Sequence, residues 1–363
     1  MMKKPLLSAA LMIPLCVCAQ NKPFLEDLPY YVENLEVFGL GQEDGRAFHI
    51  PSRNISLNGK WKFMFLESPN DVPKDFFSPS FNDRKWAYID VPSNWEMQGY
   101  GQALFRNVSA PFAINNPRGR NMGNPAPYSV TPPEVPMDVN HTGAYRTTFN
   151  VPSSWKGDQV FLRFEKVASA SFVWINGQQV GYNEGAQEPS EYNVTKYIRP
   201  GRNTLAVLVL KYSDGFYLEG QDYWRLAGIF DDVTLYATPD SRIWDYQAIT
   251  EFDNTFTDSK VSLDVDLRAY GNSYNGYSLT AQIAKDGNAV ATMSEKGISI
   301  PAGGSTVVKF NTTVKSPAKW TAETPNLYSL TMTLSDADGR VVDSMTKNMG
   351  FKKTEIRDGV FYL

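Results

Sequence analysis

The sequence predicts an all-β protein: a jelly-roll sandwich followed by an immunoglobulin-like sandwich. Short runs with apolar and polar positions alternating are the first sign. Trp61, Phe63 and Phe65 alternate with Lys62 and Met64, and Val261, Leu263, Val265, Leu267 and Ala269 with Ser, Asp, Asp and Arg, the pattern of a strand with one buried face. Turn dipeptides between such runs are the second: Asn58-Gly59, Asn176-Gly177, Asp286-Gly287 and Asp338-Gly339 supply the positive φ that tight hairpins need. The third is composition. At 42% hydrophobic and 20% charged over 363 residues, the chain can build two or three cores, and no heptad or low-complexity tract interrupts it.

Residues 1–19 read as a secretory signal: Lys3 and Lys4, an apolar run from Leu6 to Val17, then Ala19 before Gln20. The expected location is therefore periplasmic or extracellular. Both cysteines, Cys16 and Cys18, fall inside this segment; its removal takes away every disulfide, thiolate metal site and cysteine nucleophile. It also moves the formal charge from −4 to −6, because two lysines and no acids leave. A mildly acidic remainder without a basic cluster argues against nucleic acid. No other apolar run approaches the about 20 residues of a membrane span. Only two histidines, His49 and His141, are present, too few and too far apart in sequence for a histidine metal site or a Ser-His triad.

Residues 20–51 have weak periodicity and read as an extended arm, pinned down through Glu33-Asn-Leu-Glu-Val-Phe-Gly39. The first sandwich is expected over 52–239. Within it, Val91-Pro-Ser-Asn-Trp-Glu-Met-Gln-Gly-Tyr100, continuing to Asn107, is a loop whose Asn94, Glu96, Gln98 and Asn107 suit hydroxyl recognition. Residues 113–137 are rich in Pro, Gly and Asn and read as a long surface loop carrying Arg118 and Arg120. Strands return at Tyr145–Val151, Val160–Phe164 and Phe172–Tyr182, the last split by Asn176-Gly177. Thr238-Pro-Asp-Ser241 is the joint. The second sandwich is expected over 240–350, about seven short strands without a disulfide. After Gly350 the pattern changes, and the chain stops inside a new strand, Val360-Phe-Tyr-Leu363, so a longer protein is expected.

One stretch organises the rest, Ser213 to Asp232, reading SDGFYLEGQDYWRLAGIFDD. It lies between the apolar run Leu205–Tyr212 and the alternating Val233–Ala237. Asp214, Glu219, Asp222 and Arg225 stand there beside Phe216, Tyr217, Tyr223 and Trp224. Planar rings next to carboxylates suit a sugar, whose C–H face stacks while its hydroxyls donate. Loops on rigid sheets are where function concentrates.

Seven motifs in order resemble the family 2 glycoside hydrolases, and within them the β-galactosidases. They are the 33–39 arm, Leu57-Asn-Gly-Lys-Trp-Lys-Phe63, the 91–100 loop, Val173-Trp-Ile-Asn-Gly-Gln with Val180-Gly-Tyr182, Asp222-Tyr-Trp-Arg-Leu-Ala-Gly-Ile-Phe230, Trp320-Thr-Ala-Glu-Thr-Pro-Asn-Leu-Tyr328, and Gly350-Phe-Lys-Lys-Thr-Glu-Ile-Arg-Asp-Gly359. The resemblance implies a (β/α)₈ barrel after the two sandwiches, with 351–363 as its first strand. That barrel would carry two glutamates hydrolysing β-galactosides with retention, carboxyls about 5–5.5 Å apart. No residue of this chain is then catalytic, and the chain alone is expected to be inactive.

The resemblance further implies that Asn107 and Asp222 reach the galactosyl hydroxyls. It implies a sodium ion at Asp222, magnesium in the full-length enzyme, and a homo-oligomer. The sequence departs from the family's habit at Phe105-Arg106, where a Tyr-Thr pair is common, at Gly220 and at Gln187. Two other readings remain open: a non-catalytic carbohydrate-binding module, and the same family acting on β-glucuronides or β-mannosides.

Overall fold

The computed structural model describes residues 23–47, 50–106, 111–114, 129–219 and 222–363. The signal-like segment 1–19, His49, Asn107, Arg118 and Arg120 lie outside them. The fold is nearly all β. Its first sandwich opposes two antiparallel sheets. The larger has seven strands in the order Gly39–Leu40, Gln178–Asn183, Ala170–Ile175, Gly201–Leu210, Thr142–Val151, Gly59–Leu66 and Ala87–Val91; the smaller has four, Ser190–Asn193, Gln159–Phe164, Val233–Thr238 and Asn54–Ser56. Between them lies a core of Trp61, Phe63, Tyr145, Leu162, Val207 and Leu235. The Asn176-Gly177 turn forms as the dipeptide predicts, with φ of 51° and 83° between the paired Ile175 and Gln178.

The run Leu205–Leu210 does not alternate because the seven-stranded sheet is covered on both faces. Leu205, Val207 and Val209 point into the inter-sheet core, while Ala206, Leu208 and Leu210 enter a second apolar cluster on the opposite side. Phe172, Trp174 and Tyr182 join them there, and Phe24, Tyr31, Phe76 and Trp86 close the layer. A strand buried on both faces has no reason to alternate.

The N-terminal arm supplies part of that cover, and it is less extended than its sequence suggests. Phe24–Glu26 make a 3₁₀ turn and Leu28–Val32 a single α-helical turn, capped by the Asp27 carboxylate accepting from the Tyr30 N–H at 3.3 Å. Phe24 stacks edge-on against Tyr31 at 5.2 Å and Trp174 at 5.3 Å. The anchor thus begins upstream of the 33–39 stretch, which is itself held: Val37 packs against the same cluster and the Glu33 carboxylate accepts from the Val135 N–H at 2.9 Å, while Leu35 and Phe38 are exposed. Gly39–Leu40 then adds an edge strand to the large sheet.

At the joint, the Asp240 carboxylate accepts from the Gly271 and Asn272 N–H groups at 2.8 and 2.9 Å, from the Tyr274 hydroxyl at 3.0 Å and from Gln159 Nε2 at 2.8 Å. The second sandwich sets Ser241–Phe252, Ser259–Ala269 and Ser305–Val314 against Asn288–Ile300, Tyr274–Lys285, Tyr328–Ser335 and Val341–Met349. Its core takes the alternating residues the sequence singles out, Val261, Leu263, Val265 and Leu267 facing Leu330, Met332 and Leu334. Residues 355–362 form a two-stranded hairpin, Glu355–Arg357 with Val360–Tyr362, whose Ile356 and Phe361 are exposed.

Candidate sugar-binding site

The 213–232 stretch crosses from one sheet to the other. It leaves the seven-stranded sheet after Leu210 and enters the four-stranded sheet at Val233. Between them come a short helical turn Phe216–Glu219, a strand Tyr223–Arg225 and a strand Gly228–Ile229 paired with Val167–Ala168. Gly220 and Gln221 lie outside the described residues.

The structure divides the charged and aromatic residues of this stretch into two sets. Asp214 and Arg225 are buried. The Arg225 guanidinium lies 5.4 Å from the Phe216 ring centre and 5.2 Å from that of Tyr223, a cation–π arrangement that belongs to packing. Glu219 Oε1 accepts from the Ala186 N–H at 2.7 Å, and burial pushes its carboxyl upward. Phe216 and Tyr217 pack against Phe112. Asp222 and Trp224, by contrast, face outward.

The second predicted loop is fastened to the first. Ser93 N–H donates to the Ile229 carbonyl at 2.8 Å and Trp95 N–H to that of Ala227 at 3.0 Å. Glu96, read from sequence as a hydroxyl-recognising group, is instead consumed here. Its side chain is 0% exposed; Oε1 meets Lys211 Nζ at 2.6 Å and Oε2 accepts from the Ala227 N–H at 2.9 Å. Lys211, itself only 5% exposed, stands outside the candidate residues named from the sequence. Its signal was available, since it is the one charge at the end of the apolar run 205–212. Gln98 Nε2 bonds the Ser93 hydroxyl at 3.2 Å, so it too braces the loop.

Past this junction, Leu104–Arg106 pairs antiparallel with Tyr223–Arg225: Tyr223 opposite Arg106, Trp224 opposite Phe105, Arg225 opposite Leu104. Asn107 lies outside the described residues, but its predecessor Arg106 stands across from Tyr223, the residue after Asp222. No described side chain bonds or pairs with the Asp222 carboxylate.

A buried acid pair lies under the start of the stretch. Burial, then the hydrogen bond to Asp214 and that residue's charge, push Glu184 up to about 9. Glu184 Oε1 accepts from the Tyr182 hydroxyl, and the Asp214 N–H donates to the Val32 carbonyl at 2.8 Å. The arm, the sheet edge and the 213–232 stretch thus meet at one buried carboxyl pair.

Among the described residues, no three His, Cys, Asp or Glu side chains gather as a metal cluster, and no helix is long and apolar enough to cross a membrane. Comparison with known proteins supplies the family. Residues 55–131 and 123–239 match the model described as "Glycosyl hydrolases family 2, sugar binding domain", and residues 241–352 the one described as "Glycosyl hydrolases family 2". The chain is 35% identical over 349 residues to a β-galactosidase of Priestia megaterium, covering 92% of this chain and 32% of that protein. To a β-galactosidase of Photobacterium profundum it is 37% identical over 322 residues, with 86% and 29% covered. The chain thus spans about a third of the length of these curated relatives.

Solved structures share the fold. A Bacteroides uniformis β-glucuronidase 2, covalently bound to cyclophellitol-6-carboxylate aziridine, superposes with TM-score 0.67 at 22% identity, over 85% of this chain and 34% of that one. A putative β-galactosidase from Bacteroides fragilis gives 0.62 at 19%, over 85% and 42%.

Proposed function

The chain belongs to family 2 of the glycosyl hydrolases, and we propose that it forms the sugar-side wall of a retaining β-galactosidase. In this reading Asn107 and Asp222 hold the galactosyl hydroxyls, and the two catalytic glutamates come from a barrel outside these domains. The curated relatives, each about three times as long, leave room for it. One observation supports the reading above others: the ribbon register sets the residue before Asn107 opposite the residue after Asp222, on a rim where Asp222 is exposed.

The chemistry asked of this wall is binding. An exposed carboxylate accepts from sugar hydroxyls, and an amide both donates and accepts. In an enclosed pocket each such bond, once lost, leaves a partner unpaired at a cost of about 1–3 kcal/mol. Asp222 is also an apt partial ligand for sodium, a hard cation that takes oxygen donors; the other donors would come from the substrate and from outside these residues. Magnesium finds no candidate group of ligands among the described residues. Export through residues 1–19 is part of the proposal, and N-terminal sequencing of protein recovered from the periplasm or medium should begin at Gln20. Homo-oligomerisation of the full-length protein is a further part, read by sedimentation.

The full-length protein tests the whole. It should cleave β-galactosides, release the β-anomer first by NMR, and lose about ten- to a hundredfold in kcat/KM on Asp222→Asn. Preference for a β-glucuronide, or galactose binding by residues 20–363 at micromolar concentration without any cleavage by the full-length protein, would defeat the proposal.

A further inference from the structure

Phe105 and Trp224 stand directly opposite each other on the ribbon, their ring centres 5.8 Å apart and their planes at 74°. Both are large, and both are half exposed, at 51% and 52%. Directly opposed residues of an antiparallel pair project to the same side. The neighbouring residue Arg225 goes to the other side and is buried. Asp222 immediately precedes this strand and is exposed, as Trp224 is; two residues of extended chain span about 6.5–7 Å. That is roughly the breadth of one sugar unit.

We propose that Trp224, braced edge-on by Phe105, stacks the leaving-group sugar of the substrate. The inference rests on the reading that Asp222 holds the galactosyl unit. With that unit gripped at Asp222, the next ring along the ribbon lies over the aromatic pair. A pyranose presents a C–H face to the indole, and the perpendicular phenyl ring keeps the indole from folding away. Edge-to-face aromatic pairs favour this geometry. Leaving groups without a ring gain nothing from such a surface.

The test uses the full-length protein and two β-galactosides, lactose, whose leaving group is glucose, and β-galactosyl azide, whose leaving group has no ring. Trp224→Ala should lower kcat/KM for lactose about fivefold to tenfold and leave the azide within twofold. Trp224→Phe should recover part of the loss, and Phe105→Leu should show a smaller loss of the same selectivity. Equal losses on both substrates, or a lowered melting temperature with them, would mean that the pair packs against another part of the protein or serves the galactosyl unit; either overturns the proposal. So would unchanged kinetics on both. If the unaltered protein cleaved neither substrate, the underlying reading would fail, and this one with it.

Discussion

Lys211 Nζ meets Glu96 Oε1 at 2.6 Å in a buried pair that ties the 91–100 loop to the end of the strand Gly201–Leu210. Glu96 Oε2 takes the Ala227 N–H as well, so one carboxylate joins the two loops from which the site is built. Removing one partner strands a charge where no water reaches it. Glu96→Ala should cost about 3–5 kcal/mol, whereas the double change Glu96→Leu with Lys211→Met should cost far less, since a hydrophobic pair can replace a buried ion pair. Urea unfolding of the chain measures both; a double variant as unstable as the single one would contradict the account.

Glu184 sets a pH dependence. Its carboxyl is held up at about 9 in the folded state, against an ordinary 4.5, by burial and by Asp214. The folded state therefore binds the extra proton between these values, and stability from this group is complete below about 4.5 and lost as pH rises to about 9. Glu184→Gln keeps a donor toward Asp214 and removes the titration. Unfolding free energy measured from pH 5 to 9 should fall more steeply in the natural chain than in the variant; parallel curves would count against it.

Gly181 explains the Val180-Gly-Tyr182 motif. A methyl carbon there would overlap the buried Tyr192 ring and stand 2.5 Å from the Leu40 carbonyl oxygen. Gly181→Ala should thus loosen the arm's edge strand Gly39–Leu40 and destabilise by about 1–3 kcal/mol, the usual cost of overpacking. Hydrogen exchange at the Leu40 amide should accelerate together with the drop in melting temperature; a variant as stable as its parent would remove this explanation.

Sodium should raise the affinity of the full-length protein for galactosides, and Asp222→Asn should abolish that response. Potassium at equal ionic strength is the control. A sodium response that survives the substitution would move the ion elsewhere.

The elements most legible in the sequence were those with one face in water. Ser259–Ala269 alternates because the same residues that line the core are separated by solvated ones, and Asn176-Gly177 turns because its φ values demand it. The roles of the charged residues were much less legible. Glu96 and Asp222 are both acids in loops beside tryptophans, yet one is sealed against Lys211 and the other is exposed. Nothing local distinguishes them, because the distinction is made by a lysine 115 positions away.

By itself, then, the amino-acid order determined an all-β fold of two sandwiches and the stretch on which function is proposed to rest, since period and turn chemistry are local properties. Tertiary structure alone decided which faces are covered and which acids are consumed. Phe24 and Tyr31 seal the far side of the large sheet, Glu96 binds two loops together, and the ribbon pairs Phe105 with Trp224. Burial and pairing depend on what distant segments bring to the same place, and no window of sequence contains that.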